Sequence, residues 1–369
     1  MSGAEEIFCF PNGDKIYRYD QSLVLFLKGE RKVLSTSVYN GGIKNGLTAV
    51  FDHDGKKGAG MPCEMLADTY EKHMRLTAAR LGLDPDRSSG AATAADMENA
   101  AIESMSYKEL TVTAVVTAGI ETNAGRAGDP ASYYEPVEKP QPLGTIVIML
   151  YISCSMPPGT LARALVTCTE AKTAAIQELA ERSRYSSGPA TGSGTDQTFI
   201  ISDSESPIYM ESAGKHSKLG ELIGKTVIKA VKKGLARQSG LTPEKQHHGV
   251  RRMSRFGVTE ETLWQRWQKE SGCKTEKPIF IRSADETAKE TVWVISALLI
   301  SRLLDERRWG LISAEELTTA AEQILQDTAG SCGISGCQNH GGTQEEIICL
   351  WTGLFLQAVR KKLSGEIKL

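Results

Sequence analysis

Apolar and polar positions change rhythm several times along the 369-residue chain. Residues 7–51 alternate with the period of half-buried strands. The pattern predicts strands near 15–20, 23–28 and 32–37, with the charged stretch KGER (28–31) as a hairpin turn between the last two. Asn40–Gly42 close this block with residues that tolerate positive φ. FDHDG (51–55) reads as a turn, with cation binding through Asp52 and Asp54 as the alternative.

Between 60 and 106 the spacing becomes helical. CEMLADTYEKHMRLTAARLGL predicts a helix that stops at GLDPD (82–86), and TAADMENAAIESMS (93–106) predicts a second. Together they form a helical insertion over about residues 53–106. ELTVTAVVTAGIETNA (109–124) and GTIVIMLYISC (144–154) are β-branched runs of the kind found in buried strands. A helix follows from 159, with Thr160 as its N-cap, although ALVTCT within it is strand-prone. QTFIIS is a further strand. SKLGELIGKTVIKAVKKGLAR (217–237) sets Leu219, Leu222, Ile223, Val227, Ala230 and Val231 on one helical face. Beyond 240 the pattern is helical throughout, near 259–270, 284–308, 313–328 and 343–364. The reading is an α+β fold, a layered mixed or antiparallel sheet with packed helices over 1–240, followed by an all-helical region over 241–369.

Charge narrows the function classes. With 43 basic and 45 acidic residues the net charge is -2, so no overall field draws nucleic acid or an anionic membrane. The cluster Arg251, Arg252 and Arg255 reads as a solvated face. The start, MSGAEEIFCF, has no basic leader segment and no long apolar run, and the eight cysteines are scattered. A cytoplasmic protein with reduced thiols is expected, with no membrane partner. The apolar helices WVISALLISRLL and IICLWTGLFLQAV suit a core or a homo-oligomer interface equally.

Few motifs survive scrutiny. GELIGKT (220–226) is one residue short of a phosphate-binding loop and lies inside a helical pattern. Cys332, Cys337 and His340 lack an established zinc spacing, so no metal site is expected. GPATGSGTD (188–196) is different: Gly192 and Gly194 let the backbone approach a ligand, while Thr191, Ser193, Thr195 and Asp196 add hydroxyls and a charge. Asn40, Asn123, Arg126, Asp129, Glu170, Lys172, Asp196 and His216 fall at ends of ordered segments or in glycine-rich loops, where binding groups concentrate. Residue types alone stop at a small-molecule enzyme or binder.

Five blocks, VLSTSVYNGG (33–42), VTAGIETNAGRAGDP (116–130), TCTEAKTAAIQEL (167–179), GPATGSGTD (188–196) and AGKHSKLGELIG (213–224), resemble in order the signature blocks of the adenosylcobinamide amidohydrolases, the CbiZ family. The resemblance covers about residues 10–236. The chain departs from the family in its longer stretch over 53–106, in the region after 240, and in Ser193 where threonine is usual. The resemblance implies corrinoid salvage, in which the amide joining the aminopropanol arm of adenosylcobinamide to the corrin ring is hydrolysed to give adenosylcobyric acid. No cofactor is implied, because the cobalt belongs to the substrate. The competing reading is a corrinoid or tetrapyrrole carrier or sensor without hydrolytic activity.

Under that resemblance His216 is the expected general base, Glu170 and Asp196 orient it or protonate the amine, and Thr195 is a possible nucleophile. Thr117 is a further hydroxyl, and direct attack by water stands beside both. Asn40, Gly41, Asn123, Arg126, Asp129, Lys172, Thr191, Gly192, Ser193 and Gly194 are the expected substrate contacts. Backbone N–H groups of 191–195 are the expected oxyanion donors.

Overall fold

The computed structural model describes residues 3–56, 65–131, 134, 145–271, 275–336 and 342–365. The chain divides into two compact units, Met1–Thr242 and Pro243–Leu369. Strands of the first unit are β1 (Glu5–Cys9), β2 (Lys15–Tyr19), β3 (Ser22–Phe26), β4 (Arg31–Ser35), β5 (Gly42–Asn45), β6 (Ala49–Asp54), β7 (Ser88–Thr93), β8 (Ala101–Tyr107), β9 (Leu110–Ala118), β10 (Ala124–Gly125), β11 (Ile146–Ile152), β12 (Gly192–Ser193) and β13 (Gln197–Asp203). Its helices are α1 (Tyr70–Arg80), α2 (Pro158–Glu178) and α3 (Lys218–Ser239). They build a mixed α+β fold: a five-stranded sheet ordered β1-β2-β3-β6-β7 and a six-stranded sheet ordered β5-β4-β13-β11-β9-β8.

Strand alternation explains the layers. Along β11, Val147, Met149 and Tyr151 meet Ile16, Leu25 and Val50 of the first sheet. Ile146, Ile148 and Leu150 point the other way, into Leu161, Cys168, Ile223 and Val227 of α2 and α3. On the outer face of the first sheet, Val24 and Phe51 pack against Met74 and Ala78 of α1. Two sheets therefore lie face to face between helices, and β11 is apolar on both faces because both are covered. All six apolar residues predicted for one face of α3 are buried. β11 and β13 are parallel, joined through α2.

Several local expectations change. The hairpin joins β2 to β3, where Asp20 and Gln21 both have positive φ (45° and 56°) as a tight two-residue turn requires. KGER instead carries the chain from one sheet to the other, since β3 and β4 belong to different sheets. TAADMENAAIESMS is not a helix. It forms one short turn at Met97–Asn99 and then β8. Pairing with β9 overrides the helix preference of Ala, Glu and Met. Buried Glu103 of β8 also meets Lys229 and Lys233 of α3. The stretch 53–106 thus holds one described helix beside strands β7 and β8. FDHDG is no turn but the end of β6, paired with β3 and β7. Helix α2 starts at Pro158, so Thr160 lies inside its first turn and its hydroxyl donates to the Glu211 carbonyl (2.7 Å).

The second unit is helical: α4 (Pro243–Gln246), α5 (Gly249–Met253), α6 (Glu260–Ser271), α7 (Lys277–Ala288), α8 (Thr291–Arg308), α9 (Ala314–Cys332) and α10 (Gln344–Leu363). The expected helix over 284–308 is two, broken at Lys289 and Glu290. Trp293, Trp351 and Phe355 form its aromatic centre. No described helix is long and apolar enough to cross a membrane. Of the suggested Cys332, Cys337 and His340 group, Cys337 and His340 lie outside the described residues. Cys154 and Cys168 are fully buried, and burial pushes each thiol up to about 12.

Candidate active site

Thr117 of β9 and Gln197 of β13 both register opposite Val147 of β11. The C-terminal end of β9 and the N-terminal ends of β11 and β13 therefore make one rim of the six-stranded sheet. The glycine-rich stretch 188–196 runs onto this rim. It is tied down by β12, which pairs with β10.

Asp196 organises the loop. Its carboxylate is ion-paired with Lys172 of α2, both side chains being nearly buried (13% and 10% exposed). Oδ1 accepts from the Ser193 hydroxyl (2.6 Å) and the Ile146 N–H (3.2 Å), and the Ser193 N–H points at both oxygens (3.1 Å). Gly192 is the residue that permits this. A Cβ there would stand 2.2 Å from Asp196 Oδ2 and 2.7 Å from Lys172 Nζ. Thr191 donates its N–H to the Gly125 carbonyl (2.8 Å), and its hydroxyl accepts from the Ala127 N–H (2.9 Å). The Thr195 carbonyl accepts from Thr145 Oγ1 (2.5 Å), and its N–H donates to Ser193 Oγ (3.3 Å). The N–H groups of Thr191, Ser193 and Thr195 are thus engaged internally. Gly194 is exposed at the loop tip.

The other expected site residues are distributed around this cluster. Asn123 is fully buried just before β10. Asp129 Oδ2 accepts from the Arg126 N–H (2.7 Å) and the Ser183 hydroxyl (2.5 Å). Burial raises the Asp129 carboxyl, but these hydrogen bonds outweigh it and hold the group below the usual range. Arg126 reaches the Pro189 carbonyl (3.4 Å), so both residues brace the loop. Asn40 shapes a turn: at φ 49° it donates to the carbonyls of Pro85 (2.9 Å) and Ser88 (2.7 Å). A Cβ on Gly41 would meet the Ser37 carbonyl oxygen at 1.7 Å.

His216 and Glu170 are not brought to Asp196. Glu170 is exposed and pairs with Lys215 (2.7 Å), while Lys172 turns to Asp196. Two residues apart, these side chains leave α2 about 200° apart around its axis. His216 is exposed, ahead of Ser217, the N-cap of α3, and hydrogen-bonds to neither carboxylate.

A carboxyl expected in a turn sits beneath the rim instead. Asp52 of β6, 1% exposed, accepts from Thr117 Oγ1 at 2.5 Å across the gap between the sheets. Its Oδ1 has no partner among the described residues, nor has the buried Oε1 of Gln197. Gln197 Nε2 donates to the Tyr70 hydroxyl (3.1 Å), which also accepts the Ala92 N–H (2.9 Å). Burial pushes the Asp52 carboxyl up to about 7; Thr117 opposes this and Asp54 adds to it. The available signal was an acid in phase with the inward face of an apolar strand, AVFDHD. Two residues on, Asp54 lines a cleft of about 580 Å³ with Arg18, Asp20, Gln21, Asp96 and Gln238.

Comparison with known proteins matches this chain to the family described as adenosylcobinamide amidohydrolase, CbiZ, over residues 8–243. An uncharacterized protein of Methanocaldococcus jannaschii is 30% identical over 238 residues, 61% of this chain and 89% of that protein. The family match ends where the helical unit begins.

Proposed function

Since this chain belongs to the adenosylcobinamide amidohydrolase family, we propose that it hydrolyses the amide between the aminopropanol arm and the corrin ring of adenosylcobinamide, releasing adenosylcobyric acid in corrinoid salvage. The carrying observation is the loop 191–196, closed on Asp196 and Lys172 beside the rim of the six-stranded sheet. Amide hydrolysis needs a held carbonyl, an activated water and a proton for the departing amine. The exposed Gly194 N–H supplies an oxyanion donor, and Asp196 sets the loop that carries it. Arg126 and Asp129, half-buried beside the loop, flank the space open to the amide side chains of a corrin. The cobalt enters with the substrate.

Incubation of the full chain with adenosylcobinamide, followed by chromatography, is expected to show release of 1-amino-2-propanol. A spectral change on binding without release would replace this reading with a corrinoid carrier or sensor. Asp196→Asn is expected to lower kcat far more than it raises KM, since the loop geometry acts on the developing oxyanion. A change confined to KM would make Asp196 a binding residue.

A further inference from the structure

We propose that Asp52 is the group that exchanges protons with the scissile amide, and that Thr117 is the residue that positions it. The inference rests on the amidohydrolase reading above and deepens it.

Geometry carries the assignment. Thr117 Oγ1 donates to Asp52 Oδ2, and Oδ1 is left without a partner among the described residues in a buried layer. A buried carboxyl oxygen without a donor is costly and calls for a function. The nearby rim offers a second such oxygen, Oε1 of Gln197. Two bare acceptors suit a group that brings N–H or O–H bonds with it, as a substrate amide and an attacking water do. A cleft lies one step along the strand from this buried carboxyl. Asp54 follows Asp52 by two residues on the same face of β6, a step of about 7 Å, and lines the cleft. Glu5, Asp20, Asp54, Asp96 and Glu98 outnumber Arg18 and Lys56 around that cleft, which favours an amine that leaves as a cation.

The step balances with water alone. The water oxygen bonds to the amide carbon as its proton passes to Asp52 Oδ1. The tetrahedral adduct then collapses, the C–N bond breaks, and the same proton moves from Asp52 to the departing nitrogen; the new carboxylic acid then gives its proton to the freed amine, which leaves as a cation. A carboxyl serving as base and then acid is most useful when it titrates near the working pH, and burial raises this one to about 7. The titratable groups facing it are Asp54 on its own strand and Tyr70 on α1; Thr117 and Gln197 face it from β9 and β13.

The test compares wild type, Asp52→Asn, Thr117→Val and Thr117→Ser in aminopropanol release across pH 5–9. Asp52→Asn is expected to lose about 10²–10⁴ in kcat with KM little changed, while far-ultraviolet circular dichroism stays native. Thr117→Val should shift the limb of the pH–rate profile governed by Asp52 upward and lower kcat about tenfold, because it removes the stronger of the hydrogen bonds that favour the charged form. Thr117→Ser should restore both. Infrared difference spectra should show a protonated carboxyl band that disappears near neutral pH in wild type and is missing from Asp52→Asn. Wild-type turnover retained in Asp52→Asn, or a pH profile unmoved in Thr117→Val, would overturn this assignment while leaving the hydrolase reading intact. No release by wild type on any corrinoid would overturn both.

Discussion

Gly192 and Asp196 lie so close that a methyl group on the glycine would stand 2.2 Å from the carboxylate oxygen Oδ2. The same methyl would stand 2.7 Å from Lys172 Nζ, so the ion pair cannot move aside in that direction. Gly192→Ala is therefore expected to destabilise the fold by about 1–3 kcal/mol, the cost of overfilling a packed site. It should also lower kcat, because Asp196 and Ser193 lose their mutual geometry. Gly194→Ala is the comparison, since a Cβ there meets nothing within 4 Å. Equal melting temperatures for the two variants would contradict the tight packing at 192.

Breaking one half of the Lys172–Asp196 pair leaves the other charge nearly buried and uncompensated. Asp196→Asn alone should cost about 3 kcal/mol, and the double variant with Lys172→Met should recover most of it. Denaturant midpoints of the two single variants and the double one measure the coupling. Simple additivity would mean that the two groups act independently.

Asp52 makes stability depend on pH with a definite sign. Its folded value, about 7, lies above the usual carboxylate value, so between roughly pH 4 and 7 the folded chain holds a proton that the unfolded chain releases. The stability this proton brings is complete below about pH 4 and is lost as pH rises through about 7, a span of about 4 kcal/mol. Asp52→Asn cannot ionise. It should gain on wild type steadily between pH 4 and 8 in chemical denaturation. His53, on the opposite face of β6, is lowered by burial to about 4, so its contribution is lost as pH falls from about 6.5. With Asp52 replaced, this opposite trend should become visible.

His216 tests the line between sequence and structure directly. As general base its loss would cost at least about 10² in kcat. Exposed, and bonded to neither Glu170 nor Asp196, it should cost less than that when changed to alanine. A loss beyond a hundredfold would return the proton transfer to His216.

Periodic elements were legible in the sequence, and side chains acting across the sandwich were not. The face of α3 from Leu219 to Val231 repeats every three or four residues, and helix geometry turns that spacing into one buried stripe. The run 146–152 is apolar on every residue, which fits a strand covered on both sides. β8 hid because its sequence favours a helix and only pairing with β9 decides otherwise. The hairpin hid because Asp20 and Gln21 carry no glycine to announce positive φ. Within the site, the small residues of 188–196 marked the loop. The partnership of Lys172 with Asp196 spans 24 positions, and nothing local encodes it. Asp52 and Thr117 are 65 apart and meet only because two sheets stack. FDHDG looks the same whether it ends a strand or makes a turn.

The short ladder between β10 and β12 has a thermodynamic corollary. With Gly125 paired to Gly192 and the Thr191 carbonyl held by Thr173 Oγ1 at 3.0 Å, the segment around the carboxylate has surrendered its conformational freedom during folding. A ligand docking there need not pay that entropy again, so its arrival should be rapid and rigid, and selectivity should follow the shape of the guest more than any rearrangement of the host.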